Sequence, residues 1–286
     1  MNSGKADYGS WVGNQETVSD LVTAASVAAM SATLDRDELL PQSGDVLPAL
    51  WHWMYFAPKA RWSKLGADGH PERGGFLPPI ALPNRMFAGA QYRFHRPILI
   101  GDEVRREGTI LDVTEKQGRS GKLVFVKVGY VIATQSGVAL EENHDIVYRD
   151  KAKAAQGAPE KQRPEPPEAT WRRLITPDPV LLFRYSALTF NAHRIHYDRP
   201  YAMNEEGYPG LVVHGPLIAT LLLELLREHA EGKALVTFNF RAVRPLFDTE
   251  PFEVAGASSE DGAGFWLKAL GPRGRVAMVA DGTFAR

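Results

Sequence analysis

Two apolar stretches stand out from an otherwise mixed chain: "DVLPALWHWMYFA" at 45–57 and "GPLIATLLLELLREHA" at 215–230. In the second, Leu221, Leu222, Leu225 and Leu226 recur at the spacing of one helical face. Gly215 and Pro216 suit its start, and Arg227 and His229 suit its negative C-terminal end. The first stretch predicts a second, weaker helix. Runs rich in β-branched residues follow each: "EGTILDVTEK", "KLVFVKVGYVIATQ" and "GVALEENHDIVYR" after the first, "FEVAGAS", "FWLKAL" and "VAMVADGTFA" after the second. Each half therefore reads as one long apolar helix followed by antiparallel strands. A curved sheet wrapped around such a helix would bury it on most sides, which makes the expected class α+β.

Between the halves the periodicity stops. "KAKAAQGAPEKQRPEPPEAT" at 151–170 is Pro, Ala, Gln and mixed charge, the composition of a linker. It predicts a first domain over 1–150 and a second over 171–286, both of ordinary domain size. The two repeat one another faintly: "QYRFHRPILIGDEV" at 91–104 and "NFRAVRPLFDTEPF" at 239–252 superimpose without a gap, setting Arg93 over Arg241, Arg96 over Arg244 and Pro97 over Pro245.

Composition narrows the chemistry. With 33 Lys+Arg against 34 Asp+Glu, nothing in the overall charge attracts nucleic acid or an anionic membrane. The absence of cysteine removes disulfides, thiolate nucleophiles and Cys-ligated zinc together. No apolar run approaches the length of a membrane span, and "MNSGKADYGSWVG" does not read as a signal peptide, so a cytoplasmic protein is expected.

The densest chemistry lies in "FNAHRIHYD" at 190–198. Residues five apart on an α-helix diverge by about 140°, so Asn191 and His196 converge only if a turn intervenes. The loop formers of "RPYAMNEEGYPG" just downstream favour one. His193 and His196 could be half of a zinc site, but no HExxH accompanies them and no metal is expected. His193 reads as a packing residue, and His214 as a hydrogen-bonding residue or pocket wall.

These residues carry a resemblance. "FNAHRIH" followed by "LVVHGPLIATLL" at 211–222 resembles the two-part signature of the MaoC-like hydratases and dehydratases, roughly G-D-x-N-P-[IL]-H and then V-H-G-[ML]. In the first half, "LPALWHWMYF", "DGHPERGGFLPP", "PNRMFAGAQYRF" and "GRSGKLVFVKV" look like the N-terminal domain of double-hotdog relatives, among them mesaconyl-C4-CoA and itaconyl-CoA hydratases and 3-hydroxyacyl-thioester dehydratases. The resemblance implies two hotdog folds fused as a pseudo-dimer, the second catalytic and the first vestigial.

It also implies roles. Asn191 stands where most of the family carry a catalytic Asp, and His193-Arg194 where they carry Asn-Pro. Asn cannot accept a proton, so Asn191 would orient the water and His196 would serve as general base and then acid, titrating near the usual histidine value of about 6.5. The backbone N–H of Gly215, at a helix start, would hold the enolate oxygen. The first half has Asp35 near the corresponding place but no histidine after it, so one site per chain is expected.

The expected reaction is addition or removal of water across the 2,3 double bond of a short, branched or dicarboxylic enoyl-CoA. It needs no cofactor, since coenzyme A belongs to the substrate. His214 and Pro216 are candidate substrate-binding residues; Arg241 and Arg244 would take the CoA phosphates, ahead of Arg184, Arg194, Arg199, Arg93 and Arg96; Arg85 and His70 would take a second carboxylate. Trp51, His52, Trp53, Tyr55 and Phe56 could shape the acyl pocket, with core packing as their default role. The expected partners are this substrate and a second copy of the chain, as a homodimer or higher homo-oligomer. A hotdog thioesterase would need a carboxylate near the central helix, where Glu224 offers itself; a non-catalytic acyl-CoA-binding protein is the other alternative.

Overall fold

The structure, a computed structural model, describes residues 8–37, 40–118, 121–150, 168–230 and 232–285. The expected linker falls mostly outside them. Before it run β1 (Gln15–Leu21), α1 (Ala24–Thr33), β2 (Asn84–Phe94), β3 (Glu103–Gly118), β4 (Gly121–Thr134) and β5 (Gly137–Arg149). After it run β6 (Trp171–Ile175), α2 (Pro179–Leu188), α3 (Gly215–His229), β7 (Leu235–Ala242), β8 (Phe252–Ser258), β9 (Gly264–Gly271) and β10 (Arg275–Phe284). The ten strands form one antiparallel sheet ordered β1-β3-β4-β5-β2-β7-β10-β9-β8-β6. That order is the same read from either end if β6–β10 copy β1–β5, which is the double hotdog implied by the resemblance.

The repeat holds at the level of single hydrogen bonds. His95 and Arg96 both donate their N–H to Ala139 O, and Val243 and Arg244 both donate to Ala277 O, so Arg96 and Arg244 occupy equivalent corners. Val46 bridges Leu99 as Val212 bridges Phe247. The halves meet where β2 pairs β7, with Gly89 opposite Arg241 and Tyr92 opposite Phe238. At Gly89 a Cβ would lie 2.5 Å from the Phe240 carbonyl oxygen, so only glycine allows that close approach.

α3 is buried continuously from Leu217 to Leu226. Each of its buried leucines contributes about 1.5–3 kcal/mol relative to exposure. His229, in its last turn, stacks on Trp171 of β6 at 5.1 Å.

The first half departs from expectation. In place of a helix over 45–57 there is a single 3-10 turn, Trp51–Met54, preceded by Leu50 and followed by Phe56, both left-handed (φ 67° and 60°). The polar edges of its aromatic rings find partners on different elements. Trp51 Nε1 donates to Glu224 Oε1 of α3 at 3.1 Å, and His52 Nε2 lies 3.3 Å from Glu142 Oε2 of β5. Those bonds suit an irregular turn better than a helix. The stretch from here to β2 has one further short turn, Trp62–Lys64, and it reaches the second half.

Candidate active site

α2 delivers the histidine-rich turn. Its N-cap Asp178 accepts from Leu181 N at 2.7 Å, and its C-terminal end breaks at Phe190, which is left-handed with φ 51°. Asn191 N–H then donates back to Ser186 O at 2.8 Å, and Asn191 Oδ1 accepts from His193 N at 3.0 Å. This Asx turn supplies the expected reversal in place of proline and leads into the 3-10 turn Arg194–His196. The equivalent turn in the first half has Arg36 N bonded to Ser31 O after left-handed Asp35. Arg36 rather than Asp35 therefore matches Asn191, and its guanidinium pairs with Glu224.

His196 is buried at 7 % exposure, and its Nδ1 lies 2.7 Å from Val212 O. A carbonyl only accepts, so Nδ1 carries the hydrogen and Nε2 keeps its lone pair. The ring stacks on His214 at 3.7 Å, and His214, fully buried at the start of α3, shares a 2.8 Å hydrogen bond with Ser186 Oγ. Burial lowers the His196 pKa to about 4, against a smaller rise from the Val212 bond. The expected value near 6.5 is thus corrected: His196 is neutral throughout the physiological range. Burial holds His214 well below its ordinary value, and it lowers His193, assisted by the neighbouring histidines.

Gly215 and Pro216 open α3 beside this stack. A Cβ on Gly215 would meet nothing within 4 Å, and its backbone N–H is one of the groups a helix start leaves unpaired. Pro216 O accepts from Thr220 Oγ1 within α3.

The first half adds its own polar group. Arg194 N donates to Asp68 O at 2.9 Å and Arg194 Nη1 to Ala67 O at 3.0 Å, docking loop 66–70 against the turn. Gly69 packs so closely that a Cβ there would lie 1.8 Å from Ala192 O. The contact carries the His70 ring to 4.1 Å from His193, which in turn stands edge-on to His196 at 5.4 Å. Asp68 clasps its own histidine, Oδ1 accepting from His70 N at 3.0 Å and Oδ2 lying 3.2 Å from Nδ1. Burial alone would raise Asp68, but its hydrogen bonds with His70, first among the opposing influences, hold the carboxyl well below its usual range. Asp68 is the member that sequence reasoning missed; its signal is the D-G-H order, in which glycine lets a carboxylate turn back on the next histidine.

Ligand atoms of Asp68, His70 and His193 lie within 4.8 Å of one another, close enough to hold a small cation. Two of them already bond each other, and the Arg85 guanidinium faces both histidines and lowers their pKa values.

Among the expected arginines, Arg244 lines a cavity of about 550 Å³ with Arg149, Arg273 and Arg275. Phe247 forms part of its wall and bridges Val212, whose carbonyl holds His196. Arg241 is elsewhere: strand alternation turns it away from buried Phe240, and it lies exposed beside Asp145 and Asp281 in a separate depression. Glu224, the thioesterase candidate, is bound by Arg36 and Trp51.

The sequence profile of the hydroxyacyl-thioester dehydratase type 2 family matches residues 50–248. The chain is 51% identical over 275 residues to mesaconyl-C(4)-CoA hydratase of Chloroflexus aurantiacus, an alignment covering 96% of this chain and 97% of that protein. It is 28% identical over 269 residues to the mitochondrial hydroxyacyl-thioester dehydratase type 2 of Schizosaccharomyces pombe, covering 82% and 87%. The crystal structure of HtdX from Mycobacterium tuberculosis shares the fold at 18% identity, with a TM-score of 0.65 over 93% of this chain and 99% of that one. The chain therefore belongs to the hydroxyacyl-thioester dehydratase type 2 family of MaoC-like hotdog proteins, and it is a hydratase/dehydratase of CoA thioesters.

Proposed function

We propose that the substrate is a short, branched, dicarboxylic 2-enoyl-CoA of the mesaconyl-C4 kind. The observation that carries this reading is the 51% identity, over nearly all of both chains, to a hydratase of that thioester. The site's chemistry agrees. His196 presents a neutral Nε2 that can activate water, and the free N–H at Gly215 suits the negative charge that grows on the thioester oxygen as water adds at Cβ. Addition of water is redox-neutral, so the reaction itself calls for no redox cofactor.

Arg85 suits the acyl carboxylate. It starts β2 beside Tyr148, to which it hydrogen-bonds, and its charge reaches His70 and His193. A carboxylate attached at or near the hydrated carbon would lie in reach of that guanidinium. The arginine-lined cavity around Arg244 suits the phosphates of coenzyme A. Asn191 acts through the turn: its carbonyl oxygen is committed to His193 N–H, which leaves only the amide hydrogens for the water.

Turnover of mesaconyl-C4-CoA, itaconyl-CoA and crotonyl-CoA tests the reading. We expect kcat/KM to favour a dicarboxylic substrate over crotonyl-CoA, and Arg85→Met to erase that preference while leaving crotonyl-CoA hydration in place. An enzyme that favours crotonyl-CoA, or a preference that survives Arg85→Met, contradicts it.

A further inference from the structure

A proton taken from water leaves positive charge on its acceptor, and the two ends of this histidine cluster differ in how they would meet that charge. On His196 it would face the Val212 carbonyl and the rings of His193 and His214. On His70 it would face the Asp68 carboxylate, bonded to the opposite ring nitrogen. Position 191, where the family resemblance would set an acid, carries an amide whose oxygen is already committed to the turn.

We propose that the Asp68–His70 pair is a second catalytic element of this site, with His70 as the residue that moves the proton and Asp68 as the carboxylate that position 191 lacks. The inference rests on the hydratase reading above. Three observations carry it. The pair is preorganised, since Asp68 holds both the backbone N–H and Nδ1 of His70, which leaves Nε2 as the free nitrogen. It is docked, since Arg194 N, Arg194 Nη1 and the tight contact of Gly69 with Ala192 O fix its loop to the turn that carries His196. It is adjacent, since His193 lies against both His70 and His196. Charged and titratable groups facing His70 are Asp68 on its own loop, Arg73, Arg85 on β2, and His193 and His196 on the opposing turn. Burial comes first among the influences that keep His70 below its ordinary pKa, so it waits as a neutral acceptor.

In the hydration step, water donates one O–H to His196 Nε2 and keeps that hydrogen. Its other O–H breaks, and the proton passes to His70 Nε2 as the oxygen bonds to Cβ. The C=C electron pair moves onto the thioester oxygen, giving an enolate at the Gly215 N–H, while the His70 imidazolium is balanced by Asp68. The enolate then collapses and Cα takes the proton from His70. One water is consumed, and both imidazoles end neutral.

Purified full-length wild type, His70→Gln, His70→Ala and Asp68→Asn, each checked for folding by circular dichroism, are assayed with mesaconyl-C4-CoA across pH. His70→Gln should lose about 10²–10⁴-fold in kcat with KM little changed, and added imidazole should restore part of the activity of His70→Ala. Asp68→Asn should lower the plateau and move the acidic limb to lower pH, because removal of the carboxylate makes the imidazolium less stable. A folded His70→Gln enzyme with normal kcat and raised KM would make His70 a substrate-binding residue and overturn the proposal. An unmoved limb in Asp68→Asn would also overturn it. Failure of wild type to hydrate any enoyl-CoA would instead remove the hydratase reading itself.

Discussion

At the scale of single residues, the account turns on histidines kept neutral by burial. Because the His196 pKa is lowered to about 4, its reactive form persists as the pH falls well below 6.5. The sign follows directly: activity needs the unprotonated ring, so His196 itself causes no loss until the pH drops through its lowered value. His196→Ala should cost about 10²–10⁴-fold in kcat/KM with the fold intact, and the wild-type acidic limb should lie below pH 6.5; a limb at or above that value contradicts the burial argument. Asn191→Asp keeps an oxygen for His193 N–H and brings a negative charge beside the cluster, which favours imidazolium. Its acidic limb should move to higher pH, and limbs that superimpose on wild type would show that residue 191 acts only as a turn former. Much of this site was legible in "FNAHRIHYD" and "VVHG", because the histidines and the helix-start glycine are local features. The depressed pKa values were not, because they depend on what covers the rings.

At the scale of elements, the second half obeyed its pattern and the first did not. The leucine spacing of 215–230 needs only an apolar surround, and α3 forms where expected. The run at 45–57 has the same apolar character, yet Trp51 and His52 carry ring N–H groups that require partners when buried. Those partners, Glu224 and Glu142, lie far away in sequence, so no local reading could find the turn that satisfies them. Loop 66–70 is likewise invisible to periodicity, although it brings His70 and Asp68 to the second half's histidines. Gly69 is its anchor, with φ 88° and no room for a Cβ. Gly69→Ala should therefore lower stability by at least about 1 kcal/mol and reduce kcat/KM with it. Melting and steady-state assays check this, and a variant unchanged in both would mean the loop does not need to dock.

At the scale of the whole molecule, duplication explains both the symmetry and its failure. The mirrored strand order and the paired corners at Arg96 and Arg244 retain the repeat, as the superposed arginines foresaw. The first half has lost its long helix, and Arg36 sits where the second half has Asn191, its charge directed to Glu224. The first half brings Asp68, His70 and Arg85 up to the histidines of the second. Among the described residues no helix is long and apolar enough to cross a membrane. The central claim is that this single composite site moves water and leaves the thioester intact. It is tested most directly by one progress curve with mesaconyl-C4-CoA in which the ultraviolet absorbance of the conjugated enoyl thioester and the free thiol are followed together. The account predicts that the absorbance falls to an equilibrium value while no thiol appears; thiol released in step with substrate loss, or an absorbance that does not change at all, would contradict it.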